Sequence, residues 1–383
     1  MPQVIQACVC AMFMCWSGTA AARSLVDLNA SERYEQAEQQ QSQDLPLIEG
    51  EQQHAVTTLG VVWEIQDGLS DYQQLISATH GAALINEGDF YSGRYEGSYV
   101  YADATQLHRI VAGIERAHDE SALGRVGLRQ QLDEFGLTKT QRTDLLLMKA
   151  ETYSRVSVGE RSAVSLYLLA KSYDRQQITK TYVASLAWEF QPVELWKLQL
   201  TAAGSRQLAD QSSSASYGPD LMIVRIFGVG TEVGGGAGYR LVDDAHGQTS
   251  ATSGRVYVQK RDETFLVKFL ADRSLSTSTT GITNFQTDTF QLTGERSLAR
   301  SQRLALLVTQ KLESQLADEL DDNDIETLTA RLSYTFGFGG AAATIEEQYR
   351  HELNFSAQSE ELAVQGAGKG TRTDVTAGYT GHF

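Results

Sequence analysis

A two-residue period in the side chains governs what this chain can fold into. From Tyr91 to Tyr101, Tyr91, Gly93, Tyr95, Gly97, Tyr99 and Tyr101 alternate with Ser92, Arg94, Glu96 and Ser98. Successive side chains of a strand point to opposite faces, whereas on a helix these two sets would scatter around the circumference. The pattern recurs along the chain. Tyr182, Ala184, Leu186, Trp188 and Phe190 oppose Thr181, Ser185 and Glu189, and Trp196, Leu198, Leu200 and Ala202 oppose Lys197, Gln199 and Thr201. Leu328, Ala330, Leu332, Tyr334 and Phe336 oppose Thr329, Arg331, Ser333 and Thr335. The segments near 145–155 and 284–293 fit the period poorly.

The last ten residues show the same alternation. Val375, Ala377, Tyr379, Gly381 and Phe383 share one face; Thr376, Gly378, Thr380 and His382 share the other. A strand with one apolar and one small or polar face, ending in Phe, resembles the closing strand of Gram-negative outer-membrane β-barrels. The resemblance implies a single transmembrane, antiparallel, up-and-down all-β barrel in the outer membrane. Its surroundings would be lipid and lipopolysaccharide, and the barrel-assembly machinery would insert it. Val375, Ala377, Tyr379 and Phe383 would form the lipid face of an assembly strand that pairs with the first strand, near residues 55–66.

Composition agrees with that class. After residue 22 no stretch is apolar for 18 residues, so no membrane helix is available. Proline removes a ladder donor and belongs in turns, and Pro2, Pro46, Pro192 and Pro219 are expected outside the strands. Cys8, Cys10 and Cys15 are the only cysteines, which excludes a disulfide framework and Cys-ligated metal from the remainder. A net charge of −16 makes a poor nucleic-acid binder. No metal site or cofactor is expected.

Three regions follow. Residues 1–22 read as a signal peptide: an apolar core from Val4 to Trp16, then Ala20, Ala21 and Ala22 before Arg23, although the first seven residues lack Lys and Arg. Residues 23–53 are polar and read as a disordered periplasmic arm, either a spacer or a docking segment for a periplasmic partner. Residues 54–383 read as the barrel, with roughly eighteen strands of about nine to thirteen residues, sixteen being the other count that fits. Long polar stretches at 208–220, 243–253, 272–281, 313–326 and 356–370 fall at one end, and short connections, including that near Gly88, at the other. Phe90, Tyr91, Trp188, Phe190, Trp196, Phe336, Phe338 and Phe383 are expected to ring the periplasmic end. A soluble sandwich or propeller also alternates, but predicts larger Leu/Ile/Phe clusters and no loop asymmetry.

Enzymatic motifs are absent or weak: the chain has neither G-x-S-x-G nor H-E-x-x-H, and its histidines are scattered. The run Gly228 to Gly238 has the wrong spacing for a phosphate loop and suits a bending strand. The acidic segment Glu313 to Glu326 lacks the glycine and terminal glutamate of a calcium loop and reads as a solvated extracellular loop.

With apolar faces toward lipid, Arg94, Arg109, Arg125, Arg129, Lys171, Lys197, Arg225, Arg255, Lys268, Arg303, Arg331 and Arg350 are expected to line the lumen. The acids expected there are fewer: Glu64, Glu96, Glu115, Glu189, Asp288, Glu346 and Glu352. Basic rings inside a pore concentrate anions, whereas cross-strand ion pairs would stiffen the wall. About 330 residues in eighteen strands leave few for a plug, so an aqueous path follows. The chain resembles, in size, strand count and basic lumen, barrels that pass acidic sugars or export exopolysaccharide. A passive channel for small or linear anionic solutes is the leading expectation. A non-conducting structural or assembly-partner barrel and a rim-active enzyme are the alternatives.

Overall fold

The computed structural model describes residues 23–41, 50–67, 69–85, 90–119, 143–174, 178–209, 213–228, 230–244, 247–277, 284–299, 301–315, 325–338, 351–364 and 368–382. They form an 18-stranded sheet. The strands are β1 (Arg23–Gln41), β2 (Gly50–Asp67), β3 (Ser70–Ile85), β4 (Phe90–Ala102), β5 (Gln106–Asp119) and β6 (Thr143–Ser157). Next come β7 (Ser162–Asp174), β8 (Ile178–Val193), β9 (Trp196–Leu208), β10 (Ser213–Phe227), β11 (Thr231–Asp244) and β12 (Gly247–Arg261). The last are β13 (Phe265–Thr277), β14 (Asn284–Ala299), β15 (Gln302–Gln315), β16 (Ile325–Phe338), β17 (His351–Val364) and β18 (Gly368–His382). Each strand pairs antiparallel with its sequence neighbours, and β1 pairs with β18, which closes the barrel and leaves no edge.

Closure does not run through the segment expected from the sequence. Residues 23–41 are wall rather than a disordered arm: β1 lies between β18 and β2, with Asn29 opposite both Thr380 and Gly60. A polar strand can hold this place because both neighbours satisfy its backbone donors and acceptors and its inner face is polar in any case. The assembly strand β18 therefore pairs with residues 27–41, not with 55–66. Within it Val375, Ala377 and Tyr379 share the outer face; Phe383 and the segment 1–22 lie outside the described residues.

The outer face is the apolar one. Leu59, Leu168, Leu186, Leu200, Val256, Phe269, Leu292, Leu332, Phe355 and Val375 are all exposed. A continuous exposed apolar surface of this kind marks contact with a membrane. Arg23 and His382, the first and last described residues, lie at the end where two to four residues join β2 to β3, β4 to β5, β6 to β7, β8 to β9, β10 to β11, β12 to β13 and β14 to β15, and where the longer connection 339–350 joins β16 to β17. Short turns are periplasmic in such barrels. The connections 120–142, 278–283 and 316–324 leave the opposite end. The expected long stretches were placed at the correct end but are largely strand, because the strands run to between 13 and 19 residues.

The aromatic belt lies at the short-turn end. Trp188 stacks on Phe190 with ring centroids 5.7 Å apart, and Phe336 on Phe338 at 6.1 Å. The Tyr379 hydroxyl is 2.7 Å from Nδ1 of His351. Phe90, Tyr91 and the connection near Gly88 are exceptions to the expectation: β4 begins at the far end, where Tyr91 stacks on His80 at 4.8 Å, since β1 reverses the direction assigned to β4. Two prolines also lie inside strands. Pro192 occupies the irregularity where β8–β9 pairing shifts register. Pro219 sits where β10–β11 pairing is interrupted, as a residue without an N–H requires.

Candidate functional site: the inner wall

Paired residues on adjacent strands share a face, so the registers assign every described side chain to lipid or lumen. By register Arg94, Arg109, Lys171, Lys197, Arg255, Lys268, Arg303 and Arg331 share the inner face. Arg125, Arg129 and Arg350 lie outside the described residues.

Arg225 is a correction. It shares the outer face of β10 with Leu221, Ile223 and Phe227. Its guanidinium lies 5.1 Å from the Trp196 ring centroid and 4.6 Å from that of Phe227. The cause is local: Leu221 to Val224 are apolar on both faces, so the period there does not fix which face is in. Asp288 is likewise outside rather than in the lumen, where Arg273 donates two hydrogen bonds of 2.6 Å to its carboxylate. Glu346 lies outside the described residues.

The inner wall also carries charges that the alternation missed. Lys149, Glu151 and Arg155 on β6, Asp220 on β10, Arg240 on β11, Asp272 on β13 and Lys311 on β15 all face in. Acids therefore interleave with bases instead of being outnumbered, and much of the positive charge is held in pairs. Arg94 meets Glu96 at 2.5 Å, and Lys149 meets Glu151 at 2.6 Å. Arg255 Nε lies 2.7 Å from Asp272 directly across the strand pair. Arg155 reaches Glu189 at 3.0 Å across β7, where Ala163 and Ser165 are small and buried. Asp220 accepts from Arg240 and, at 2.6 Å, from Ser253 Oγ.

Glycines make room for this layer. A Cβ on Gly238 would strike Asp220 Oδ1 and Ser253 Oγ, and one on Gly234 would enter the Tyr257 ring. The glycine run of β11 is therefore a bed for inward side chains of β10 and β12, more than a bend. Lys268 in turn lies 5.6 Å from the Tyr257 ring centroid.

Besides Lys268, seven inward cations have no salt-bridge partner among the described residues: Arg109, Lys171, Lys197, Arg261, Arg303, Lys311 and Arg331. Around Arg331 the wall is hydroxyl and amide. Asn29, Ser31, Thr58, Ser77, Ser333, Thr335, Asn354, Ser356, Thr376 and Thr380 line a recess of about 440 Å³ across the β16–β18 and β1–β3 seam. A second recess of about 450 Å³ gathers Lys171, Thr181, Ser205, Gln207, Ser214, Arg240, Ser253 and Ser274. Such a surface offers hydrogen bonds and a few positive charges to a hydrated solute, without large apolar contacts.

The fold is that of Gram-negative outer-membrane β-barrels. The structure is similar to Pseudomonas aeruginosa OccK9 (OpdG), with a TM-score of 0.51 and 10% identity, over 94% of this chain and 98% of that one. It is similar to Pseudomonas aeruginosa OccK2 (OpdF), solved in complex with glucuronate, with a TM-score of 0.51 and 9% identity over 94% and 98%. The ferric citrate transporter FecA also matches at 0.51 and 9%, over 91% of this chain but 61% of that chain. No family model matches the sequence, and no curated protein does.

Proposed function

We propose that this protein is an outer-membrane diffusion channel for small hydroxylated solutes, with a mild preference for acids such as sugar acids. The observation that carries the reading is a closed wall of eighteen strands, apolar outside and polar inside. Sixteen- to eighteen-stranded barrels of this kind leave an aqueous path. Passage is diffusive: solutes exchange hydration for the hydroxyl and amide wall, and anions gain from Arg109, Lys171, Lys197, Arg261, Arg303, Lys311 and Arg331. The preference is mild because the other described inward bases are paired with acids or set against a ring, and because Glu115, Glu232, Glu295 and Glu352 also face in. One barrel of similar fold, OccK2 (OpdF), was solved in complex with glucuronate, a sugar acid of this chemistry. A linear acidic polysaccharide would meet the same wall, and dependence of flux on chain length separates it from a monosaccharide.

Planar-bilayer recording tests the proposal. Step-like conductance with a reversal potential displaced toward the anion is expected, and Lys197→Gln with Arg331→Gln should halve or abolish that displacement. An electrically silent refolded barrel would overturn the channel; a cation-selective one would overturn the preference.

A further inference from the structure

On the outer face of β5–β10 the belt of large apolar side chains gives way to a groove of about 700 Å³. Ala112, Ala150, Ala170, Ala184 and Gly204 form its floor; Ile110, Leu168, Tyr182 and Tyr217 form its walls. Arg206 closes its upper end. Register sets Arg206 beside Tyr182 on one side and Ala215 on the other.

Its height decides what Arg206 can meet. With a rise of about 3.4 Å per residue and a tilt of about 40°, β9 lifts Arg206 roughly 26 Å above Trp196. Trp196 lies in the periplasmic aromatic belt, so Arg206 stands just above the hydrocarbon, at the headgroups of the outer leaflet. Lys180 on β8 and Arg116 on β5 are exposed at the same end and also face outward. None of the three has an ion pair among the described residues. Asp174, at the top of β7, also faces out in this sector and has no ion pair among the described residues. Of the other outward arginines, Arg273 holds Asp288 and Arg225 lies on Trp196 and Phe227 at the periplasmic level, where Arg296 also faces out.

We infer that this groove is a docking site for one phosphorylated acyl lipid of the outer leaflet. An acyl chain lies along the alanine and glycine floor, where small side chains leave volume that bulky neighbours deny elsewhere. Arg206, with Lys180 on the adjacent strand, takes the phosphate by charge-assisted hydrogen bonds, and Arg116, farther round the wall, adds to the positive field. Tyr182 and Tyr217 place their rings at the interface, as amphipathic aromatics do. The site faces lipid and is independent of what passes through the lumen.

The test is lipid retention by the refolded, delipidated full barrel, read by native mass spectrometry and by the temperature of heat unfolding. The probes are diphosphorylated lipid A, dephosphorylated lipid A, phosphatidylglycerol and inorganic phosphate. One diphosphorylated lipid A per barrel is expected, with a raised unfolding temperature. Lys180→Gln with Arg206→Gln should weaken retention at least tenfold, and Ala184→Phe, which fills the floor, should weaken it while leaving conductance unchanged. Equal retention of the dephosphorylated form or of phosphatidylglycerol would mean annular lipid only and overturn the site. So would unchanged binding in the charge variant, or equal binding of phosphate alone.

Discussion

Asp220 on β10 and Arg240 on β11 form an ion pair on the inner wall, in the space that Gly238 leaves empty. Ser253 on β12 donates to the same carboxylate, so three strands share one charge-assisted cluster. Asp220→Asn keeps an acceptor for Ser253 but releases Arg240. The reversal potential should then move toward the anion, and stability in urea should fall by about 1–3 kcal/mol. Gly238→Val should have the same stability cost for a steric reason, because its side chain would occupy the position of the Asp220 carboxylate. Unchanged selectivity in Asp220→Asn would show that Arg240 does not face the permeating ion.

Arg225 and Arg331 separate the two faces of the sheet. Arg331 faces the hydroxyl-lined recess at the seam, whereas Arg225 lies over two aromatic rings in the periplasmic belt. Arg331→Gln should reduce anion preference with little effect on unfolding. Arg225→Gln should leave reversal potential unchanged and cost about 1 kcal/mol through its lost ring contacts. Matched bilayer and urea measurements on the two variants check the assignment; a selectivity change in Arg225→Gln would place it in the lumen after all.

The sequence makes one of these residues legible and hides the other for a physical reason. Arg331 sits among Leu328, Leu332 and Thr329, where one face is apolar and the other is not. Arg225 follows a run that is apolar on both faces, so the two-residue period loses its phase. Pairing is hidden more deeply. Arg155 meets Glu189 only because β7 places small residues between them, and Arg255 meets Asp272 only through the β12–β13 register. Neither follows from spacing along one strand. The same limit concealed β1. Its composition is that of a segment unable to build a core, but a barrel strand borrows its hydrogen bonds from both neighbours and needs only a partial apolar face. What composition does convey is the architecture, since every outward face must suit lipid at once.

Two periplasmic turns carry one device. Asp103 Oδ1 accepts the backbone N–H of Thr105 at 2.7 Å, its hydroxyl at 2.9 Å and the N–H of Gln106 at 2.8 Å. Asp262 Oδ1 does the same for Thr264 and Phe265. The Thr105 N–H and hydroxyl, then the Gln106 N–H and the Tyr101 hydroxyl, hold the Asp103 carboxyl down to about 2, from an ordinary 3.8. A pKa lowered on folding stabilises the folded turn above the unfolded value, and that contribution is lost as pH falls through the folded one. Amide exchange protection at Thr105 and Gln106, corrected for intrinsic rate, should hold from neutral pH to about 4 and then fall toward pH 2. Asp103→Ala should remove protection at every pH. Protection that declines already between pH 7 and 5 would contradict the cap.

The position of β1 gives the sharpest test of the fold, because the alternative closure is specific. If β18 met β2 directly, residues 23–41 would be dispensable and the seam would join Thr380 to the 55–66 segment. In the structure Asn29 is opposite Thr380 on one side and Gly60 on the other. Directly opposed Cβ atoms in an antiparallel pair lie about 4.5–5.5 Å apart. A short bifunctional thiol reagent spans that gap. In a chain with Cys8, Cys10 and Cys15 changed to Ser, Asn29→Cys with Thr380→Cys should cross-link efficiently in the folded barrel. Thr58→Cys with Thr380→Cys, both on the inner face, should not, since β1 stands between them. Deleting 23–41 should expose the edges of β2 and β18 and abolish the heat-resistant folded form on a gel. A deletion that still folds, together with cross-linking between Thr58→Cys and Thr380→Cys, would show that the barrel closes without β1 and that its wall has one strand fewer.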